Sequence, residues 1–312
     1  MSNQHLIPAA FLGLFSDDTN PVLRNRMLFV GDKKENNIFE APANKILTKK
    51  DFYTLQDFPE NPLVIDDSFL RYESKLINAL EELINKTILF QTWVEVLVPF
   101  ATNLFIRTED FNKRFEGRIL LLGLEERNNS NNTNLARMME FQRLASSIIS
   151  AEWTVFETVG ETPLIMNDLG YALSQNRDTR KINVAIPISM NHVLVIDPNY
   201  RRVIGISKDH QWWPLIRYGT LLKDEHNDLN KALDNIAMRF ICGPNKEVIS
   251  RCLSCKVKHQ TRPEPAEIGF MAGHRAMVFE MTWFNAISVS SSPPMQDGEF
   301  LYVDYINNYR GM

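Results

Sequence analysis

Asp168 stands at the end of an apolar segment with strand character, directly after Asn167. A carboxylate in this position must be paired or exposed at the strand end, because burying it alone is costly. A buried strand that delivers an Asn-Asp pair to its end is a common rigid support for a polar site. We therefore consider Asp168 as a metal-binding or acid–base group, with an Asx turn closed by Gly170 as the structural alternative.

Three further residues bring polar or charged groups into apolar surroundings. His5 could act as a general base or metal ligand if the N-terminal helix docks over the central sheet, or it could be a hydrogen-bonded histidine that anchors the chain start. Glu73 and Arg107 are predicted on the two most apolar helices, where charges should pair or face a shared polar cavity. A structural Glu–Arg bridge is favoured, and an oxyanion- or phosphate-binding arginine is the alternative.

The three cysteines and one histidine form a second candidate group, with the pattern Cys242-x9-Cys252-x2-Cys255-x3-His259. Three thiolates and an imidazole could bind zinc, although the spacing is not that of a standard finger. Cys252 and Cys255 also fit adjacent turns of one helix, so buried free thiols are the simpler interpretation.

Trp212 and Trp213 form an aromatic cluster close to several cationic residues, namely Arg201, Arg202, Lys208 and Arg217. Interleaved aromatic and cationic side chains can bind single-stranded nucleic acid, or a protein partner could contact the two tryptophans. A hydrophobic corner capped by surface charge is the more common arrangement. Gly-rich phosphate loops, Gly-x-Ser-x-Gly elbows and His-Glu-x-x-His helices do not occur in the sequence, which argues against nucleotide kinases, α/β-hydrolases and zincins.

Composition predicts an ordinary globular protein. The 312 residues are 44% hydrophobic, which is enough for one large core without disulfides or metal. The 34 basic and 38 acidic residues give a net charge of -4, so no general attraction to nucleic acid is expected. The start of the chain lacks a basic signal-peptide region, no uncharged run reaches membrane-spanning length, and cysteines are few. We expect a cytoplasmic location without membrane contact.

Periodicity and turn residues predict an α+β fold, a helical N-terminal half packed on a mainly antiparallel sheet. Helices are predicted over residues 6–15, 66–84, 89–105, 135–149, 229–242 and 247–256. Strands are predicted in a hairpin over 27–39, at 52–55, in four segments between Trp153 and Pro198, and at 277–284 and 300–305. Pro99 predicts a kink or break in its helix. The chain is expected to be one domain, and the Asn-rich tract 128–134, expected as an exposed loop, is the best candidate for an internal boundary.

Several short motifs occur in a characteristic order. They are His5-x-x-Pro8-x-x-Phe11-Leu12-x-x-Phe15, Lys50-Asp51-Phe52-Tyr53-Thr54-Leu55, Tyr72-Glu73-Ser74-Lys75, Arg107-Thr108, Trp153-Thr154-Val155, Asp168, Ile186-Pro187-Ile188-Ser189, and the segment Asn230 to Phe240. This order resembles a large bacterial family known only as a domain of unknown function, whose members open with His-x-x-Pro-x-x-Tyr/Phe-Leu-x-x-Phe. The resemblance spans most of residues 5 to 245. It implies no settled activity, and by analogy it favours a conflict or defence role.

The sequence departs from the family pattern at two places. Relatives tend to have Ser-Asp-Asn-Pro after the central strand, where this chain keeps Asp168 but changes its neighbours. Relatives also tend to have Gln one turn before the arginine, where Leu104 stands beside Asn103. If these groups form an active site, the departures indicate an altered or lost one.

Two hypotheses follow from these residues. The first is an enzyme acting on nucleic acid or nucleotides, such as a nuclease or other phosphodiester hydrolase. In it His5 and Asp168 supply acid and base, Arg107 stabilises phosphate charge, and Glu73 completes one pocket. The second is a non-catalytic interaction module or subunit of a larger assembly, in which the same residues form a buried network. The sequence names no substrate, metal or cofactor.

Overall fold

The part of the chain that the structure describes contains eight α-helices and thirteen strands. The computed structural model describes residues 3–56, 59–121, 129–149, 151–159, 162–175, 182–197, 204–206, 212–214 and 216–254. The helices are α1 Ala9–Leu12, α2 Val64–Ile84, α3 Phe90–Thr92, α4 Val98–Ile106, α5 Glu109–Leu121, α6 Ser130–Ile149, α7 Lys223–Ile236 and α8 Lys246–Ser254. The α+β prediction is confirmed. The strands predicted over 277–284 and 300–305 lie outside the described residues.

Short strands rich in β-branched residues account for the sheets. They are β1 Asn3–His5, β2 Met27–Asp32, β3 Asn37–Pro42, β4 Thr48–Lys50, β5 Glu152–Thr158, β6 Met166–Asn167, β7 Ala172–Gln175, β8 Ile182–Ser189, β9 His192–Asp197, β10 Ile204–Ile206, β11 Trp212–Pro214, β12 Ile216–Leu221 and β13 Phe240–Gly243. One sheet has the order β12-β5-β9-β8-β7, and only its β12–β5 pair is parallel. The predicted antiparallel pairing is therefore confirmed for most of this sheet.

The second large sheet joins distant parts of the chain. Its order is β3-β2-β13-β6, and every pair is antiparallel. The predicted hairpin forms β2 and β3, and β13 places Ile241 opposite Asn167 of β6. The helix predicted over 229–242 is wrong at its end, because α7 stops at Ile236 and the apolar run that follows pairs as a strand. The strand predicted at 52–55 is also wrong, since those residues form turns after β4, which pairs with β1.

The α-helical hydrogen-bond pattern of the apolar segment before Arg107 is interrupted next to Pro99, where a kink or break is predicted. The backbone forms a π-helical turn over Trp93–Leu97, and α4 begins directly after it with Pro99 in its first turn. A proline in a first helical turn loses no hydrogen bond that the helix needs. The Trp93 ring packs edge-on against Trp153, with 5.5 Å between ring centroids, so this break lies in the core.

The Asn-rich tract is helical from Ser130, so the loop predicted over 128–134 is wrong for this part. The Asn129 side chain accepts a hydrogen bond from the Asn132 N–H at 2.9 Å, which satisfies one free donor of the first turn. The Asn131 side chain accepts from the Gln56 N–H at 2.8 Å, and Asn134 is buried. Polar side chains therefore stabilise this helix start, and the domain boundary suggested for the tract stays a prediction.

Within the described residues, no helix combines the length and the apolar character needed to cross a membrane.

Candidate functional site

Arg107 is the centre of a buried polar cluster that joins the N-terminal strand to α2 and the end of α4. Its Nη2 group donates to the main-chain oxygen of His5 at 2.5 Å, and Nη1 donates to the Tyr72 hydroxyl at 3.0 Å and to the Glu73 carboxylate. Its Nε group donates to the Tyr53 hydroxyl at 3.4 Å. The motifs containing His5, Tyr53, Tyr72, Glu73 and Arg107 therefore meet at one guanidinium.

The surroundings of this guanidinium leave it little access to a ligand. Arg107 is only 2% exposed, and its guanidinium lies over the Phe69 ring, 4.4 Å from the centroid. Burial alone would lower the pKa of Arg107, but Tyr72, Tyr53 and Glu73 raise it by more, so the side chain stays charged. Four of the five guanidinium N–H groups are used inside the protein. The ion pair between Arg107 Nη1 and the Glu73 carboxylate confirms the predicted pairing of these two residues.

His5 contributes its backbone rather than its ring to the cluster. The main-chain oxygen accepts from Arg107, whereas the buried Nδ1 atom of the ring has no hydrogen-bond partner among the residues that the structure describes. Burial lowers the pKa of His5, and the nearby Glu73 opposes this effect. A neutral imidazole is therefore the stable form at neutral pH.

Asp168 makes a different set of contacts. Its carboxylate accepts from the backbone N–H groups of Met238, Arg239 and Phe240 at 2.9, 2.7 and 3.0 Å. Burial raises the pKa of Asp168, and these three hydrogen bonds oppose the rise. The structure thus brings His5, Glu73 and Arg107 together, while the contacts of Asp168 fix the turn before β13.

The Asx turn considered for Asp168 is made by its neighbour Asn167. The Asn167 side-chain oxygen accepts from the Leu169 and Gly170 N–H groups at 3.2 and 2.8 Å. Its amide nitrogen donates to the main-chain oxygens of Tyr171 and Leu233 at 2.9 and 2.8 Å. Gly170 has a φ of +80°, a conformation that favours glycine. Asn167 is therefore a fully bonded structural residue.

The remaining candidates fall partly outside the described residues. Trp212 and Trp213 lie on β11, which pairs with β10, but their side chains are outside what the structure describes. Cys255 and His259 also lie outside it, so the zinc hypothesis stays untested. Cys242 lies on β13, where burial and then the nearby Asp168 raise the pKa of its thiol to about 12. No cluster of three or more His, Cys, Asp or Glu side chains suited to a metal occurs among the residues described here.

A cleft of about 590 Å³ lies beside Asp168, and its lining is rich in cations. The lining residues are Leu6, Lys34, Leu47, Thr48, Lys49, Glu109, Lys113, Asp168, Met238, Arg239 and Phe240. Lys34 comes from the β2–β3 turn and Arg239 from the turn before β13, whereas Lys49 lies on β4 and Lys113 on α5. Cations from four separate segments therefore converge on one concave surface, as in sites for anionic ligands.

Two of these cations are held by carboxylates and two are not. Lys49 pairs with Glu109 at 2.6 Å, and Arg239 pairs with Asp32. Lys34 and Lys113 are solvent-exposed, and neither forms an ion pair with any residue that the structure describes. They are free to contact a ligand in the cleft.

Local sequence patterns did not identify Asp32 and Arg239 as site residues. Asp32 occurs in the polar run interpreted as a hairpin turn, and Arg239 lies inside a segment predicted to be helical. Only the pairing of β13 with β2, which sets Phe240 opposite Asp32, brings the two side chains together. The adjacent pairs Lys33-Lys34 and Lys49-Lys50 were the local signals of a cationic surface.

The fold and the cleft define an α+β protein with a cation-lined pocket at the edge of its four-stranded sheet. Residues 3–247 match the model of a family described as proteins of unknown function, DUF4238, and the chain belongs to this family. The match covers the whole segment that carries the motifs of the resemblance. No curated protein and no solved structure matches the chain.

Proposed function

We propose that this protein binds a small phosphate-bearing ligand of nucleotide size in the cleft between β4, α5 and the turn before β13. The observation that carries the proposal is the convergence of Lys34, Lys49, Lys113 and Arg239 on a single cleft. Lysine and arginine side chains are the usual phosphate-binding groups, since they supply charge and several donors at once.

The size of the cleft favours a nucleotide over a nucleic acid strand. About 590 Å³ lies within the ordinary range for small-molecule sites. Nonspecific nucleic acid binding uses a longer positive groove with stacking aromatic rings, and the net charge of -4 gives no general attraction to a polyanion. Apolar lining from Leu6, Leu47 and Phe240 would suit the uncharged part of a nucleotide.

The contacts of Arg107 favour a structural role for the cluster first considered as catalytic. Its guanidinium is enclosed by Tyr53, Tyr72 and Phe69, so a phosphate would have to displace protein groups to reach it. We therefore assign ligand binding to the cleft and not to the Arg107 cluster. Hydrolysis, and with it a defence or toxin function, is a separate hypothesis that requires turnover of the bound ligand.

Isothermal titration calorimetry tests the proposal with inorganic phosphate, pyrophosphate, AMP, ATP and a single-stranded oligonucleotide. We expect a nucleotide or pyrophosphate to bind, and Lys113→Gln to weaken binding about tenfold, which corresponds to ~1.4 kcal/mol. Lys75→Gln is the matched control, because Lys75 is exposed on α2 and is not part of the cleft lining. Chromatography of the same samples reports any turnover.

Three results would contradict the proposal. The wild-type protein could bind none of the phosphate compounds, Lys75→Gln could weaken binding as much as Lys113→Gln, or the oligonucleotide could bind in preference to every small ligand. The last result, with affinity falling steeply as salt increases, would indicate a nucleic-acid-binding surface instead.

A further inference from the structure

Arg239 differs from the other cleft cations because a buried carboxylate fixes the orientation of its side chain. Asp32 accepts from Nε of Arg239 at 3.0 Å and from Nη2 at 2.7 Å, so it holds one edge of the guanidinium. Nη1 donates to no acceptor that the structure describes, and the side chain is 45% exposed. The free edge of the guanidinium is therefore available to a ligand in the cleft.

Asp32 also fixes a second cation of the cleft. Its Oδ1 atom accepts from the backbone N–H groups of Lys34 and Glu35 at 2.9 and 3.2 Å, while the same carboxylate holds Arg239. The hydrogen bonds from Arg239 lower the pKa of Asp32 against the effect of burial, and the backbone N–H groups of Glu35 and Lys34 lower it further. One ionised carboxylate thus sets the β2–β3 turn that carries Lys34 and the orientation of the guanidinium.

Asp168 fixes the backbone of the same arginine. It accepts from the N–H groups of Met238, Arg239 and Phe240, and its own N–H donates to the Phe240 oxygen at 3.0 Å. The two carboxylates therefore constrain Arg239 from two sides, Asp32 through the guanidinium and Asp168 through the main chain.

We propose that Asp32 and Asp168 are positioning residues that hold Arg239 ready to bind the terminal phosphate of the ligand, so that Arg239 determines specificity for a phosphate group. The inference rests on the proposed function of the cleft. Lysine would match the charge of Arg239 but not the planar pair of donors that fits two phosphate oxygens. Supporting residues of this kind typically change affinity 10–100-fold when they are altered, as those around metal ligands do.

The sign of the effect separates positioning from simple electrostatics. Asp32→Asn and Asp168→Asn each remove a negative charge close to an anion site, so Coulomb attraction alone would tighten phosphate binding. Loss of positioning would instead weaken it, and we expect about tenfold weaker pyrophosphate binding for each variant. Titration calorimetry at fixed ionic strength measures the difference, and thermal unfolding confirms that each variant is folded.

A double-mutant cycle tests whether Asp32 acts through Arg239. We expect Arg239→Lys to weaken pyrophosphate binding about tenfold, and Asp32→Asn combined with Arg239→Lys to weaken it no further. Additive losses in the double variant, or unchanged or tighter binding by Asp32→Asn, would overturn the inference. If Arg239→Lys binds as the wild type does, Arg239 is not the specificity determinant.

The outcomes for the two proposals are distinguishable. Wild-type protein that binds no phosphate compound overturns the function and this inference together, whereas binding with additive losses overturns only the inference. If Asp168→Asn does not fold, the Arg239 Nε–H signal in the NMR spectrum of the wild-type protein tests whether Arg239 contacts the ligand. Ligand should shift that signal and slow its exchange with solvent, and an unperturbed signal at saturation contradicts ligand contact by Arg239.

Discussion

Two arginines in this protein are each held by a carboxylate, and they differ in what the pairing leaves free. Arg107 pairs with Glu73, and three more of its N–H groups donate to the Tyr53 hydroxyl, the Tyr72 hydroxyl and the His5 main-chain oxygen. Arg239 pairs with Asp32 through one edge only. An arginine with four of its five donors used inside the protein supports the fold, whereas one held by a single edge is both oriented and available to a ligand.

The two arginines also differ in burial. Arg107 is 2% exposed, while the Arg239 side chain is 45% exposed at the rim of the cleft. Removing a buried charge leaves its partner unpaired in a low-dielectric interior, whereas removing an exposed one lets water take its place. Substitutions in the two regions should therefore separate stability from ligand binding.

The largest effect is expected from Arg107→Ala. It leaves the Glu73 carboxylate and the Tyr72 hydroxyl without their arginine partner, so we expect a loss of about 3–5 kcal/mol in the free energy of unfolding. Urea denaturation followed by circular dichroism measures the loss. Arg71→Ala, an exposed arginine on the same helix as Glu73, should change stability by no more than about 0.5 kcal/mol.

The outcome for ligand affinity tests the comparison itself. Arg107→Ala protein that remains folded should bind pyrophosphate as the wild type does, because Arg107 does not line the cleft. A folded Arg107→Ala variant that loses ligand binding while keeping near wild-type stability would reverse the roles assigned to the two arginines.

The two regions also differ in how far the sequence could predict them. Charges on apolar helices must be compensated, so a Glu73–Arg107 pair follows from the composition of two helices. Asp32 and Arg239 are separated by 207 positions, and their pairing depends on a short strand that the periodicity assigned to a helix. Long-range strand pairing brings Asp32 and Arg239 together, and local sequence patterns do not predict such pairing.

The same limit applies to the Asn-rich tract and to Asp168. The Asn-rich composition predicted a loop. Instead, the Asn131 and Asn129 side chains accept from the Gln56 and Asn132 N–H groups and stabilise the first turn of a helix. The apolar run before Asp168 correctly predicted a buried strand, but the three N–H groups that satisfy the Asp168 carboxylate come from residues 238–240. The position of a functional candidate was predictable, and its role depended on partners distant in sequence.

Gly170 lies two residues after Asp168 and beside Leu104 of α4, the helix that ends before Arg107. Its substitution should have an intermediate effect on stability. A Cβ atom at this position would come within 2.6 Å of Leu104 Cδ2 on α4, and its φ of +80° disfavours residues other than glycine. We expect Gly170→Ala to lower the free energy of unfolding by about 1–3 kcal/mol. Urea denaturation measures the change, and Gly243→Ala, at a strand position with negative φ where a Cβ would meet no atom closer than 3.3 Å, is the comparison. Equal effects at the two glycines would show that backbone conformation at Gly170 is not limiting.

The smallest effects are expected from the pH dependence of Asp32 and Asp168, which should have opposite signs. Bonding to Arg239 lowers the pKa of Asp32, so its contribution to stability is present above the ordinary aspartate pKa and is lost as pH falls through the lowered value. Burial raises the pKa of Asp168 despite its backbone hydrogen bonds, so its contribution is greatest below the ordinary pKa and declines as pH rises through the raised value.

Urea midpoints of the wild type, Asp32→Asn and Asp168→Asn between about pH 3 and about pH 8 measure both trends. The advantage of the wild type over Asp32→Asn should grow as pH rises from the acid end. Its advantage over Asp168→Asn should shrink over the same rise, because the buried carboxylate must ionise without a cation in direct contact. Parallel pH profiles for the two variants would mean that both carboxylates are stabilised in the same way, and that burial does not dominate the pKa of Asp168.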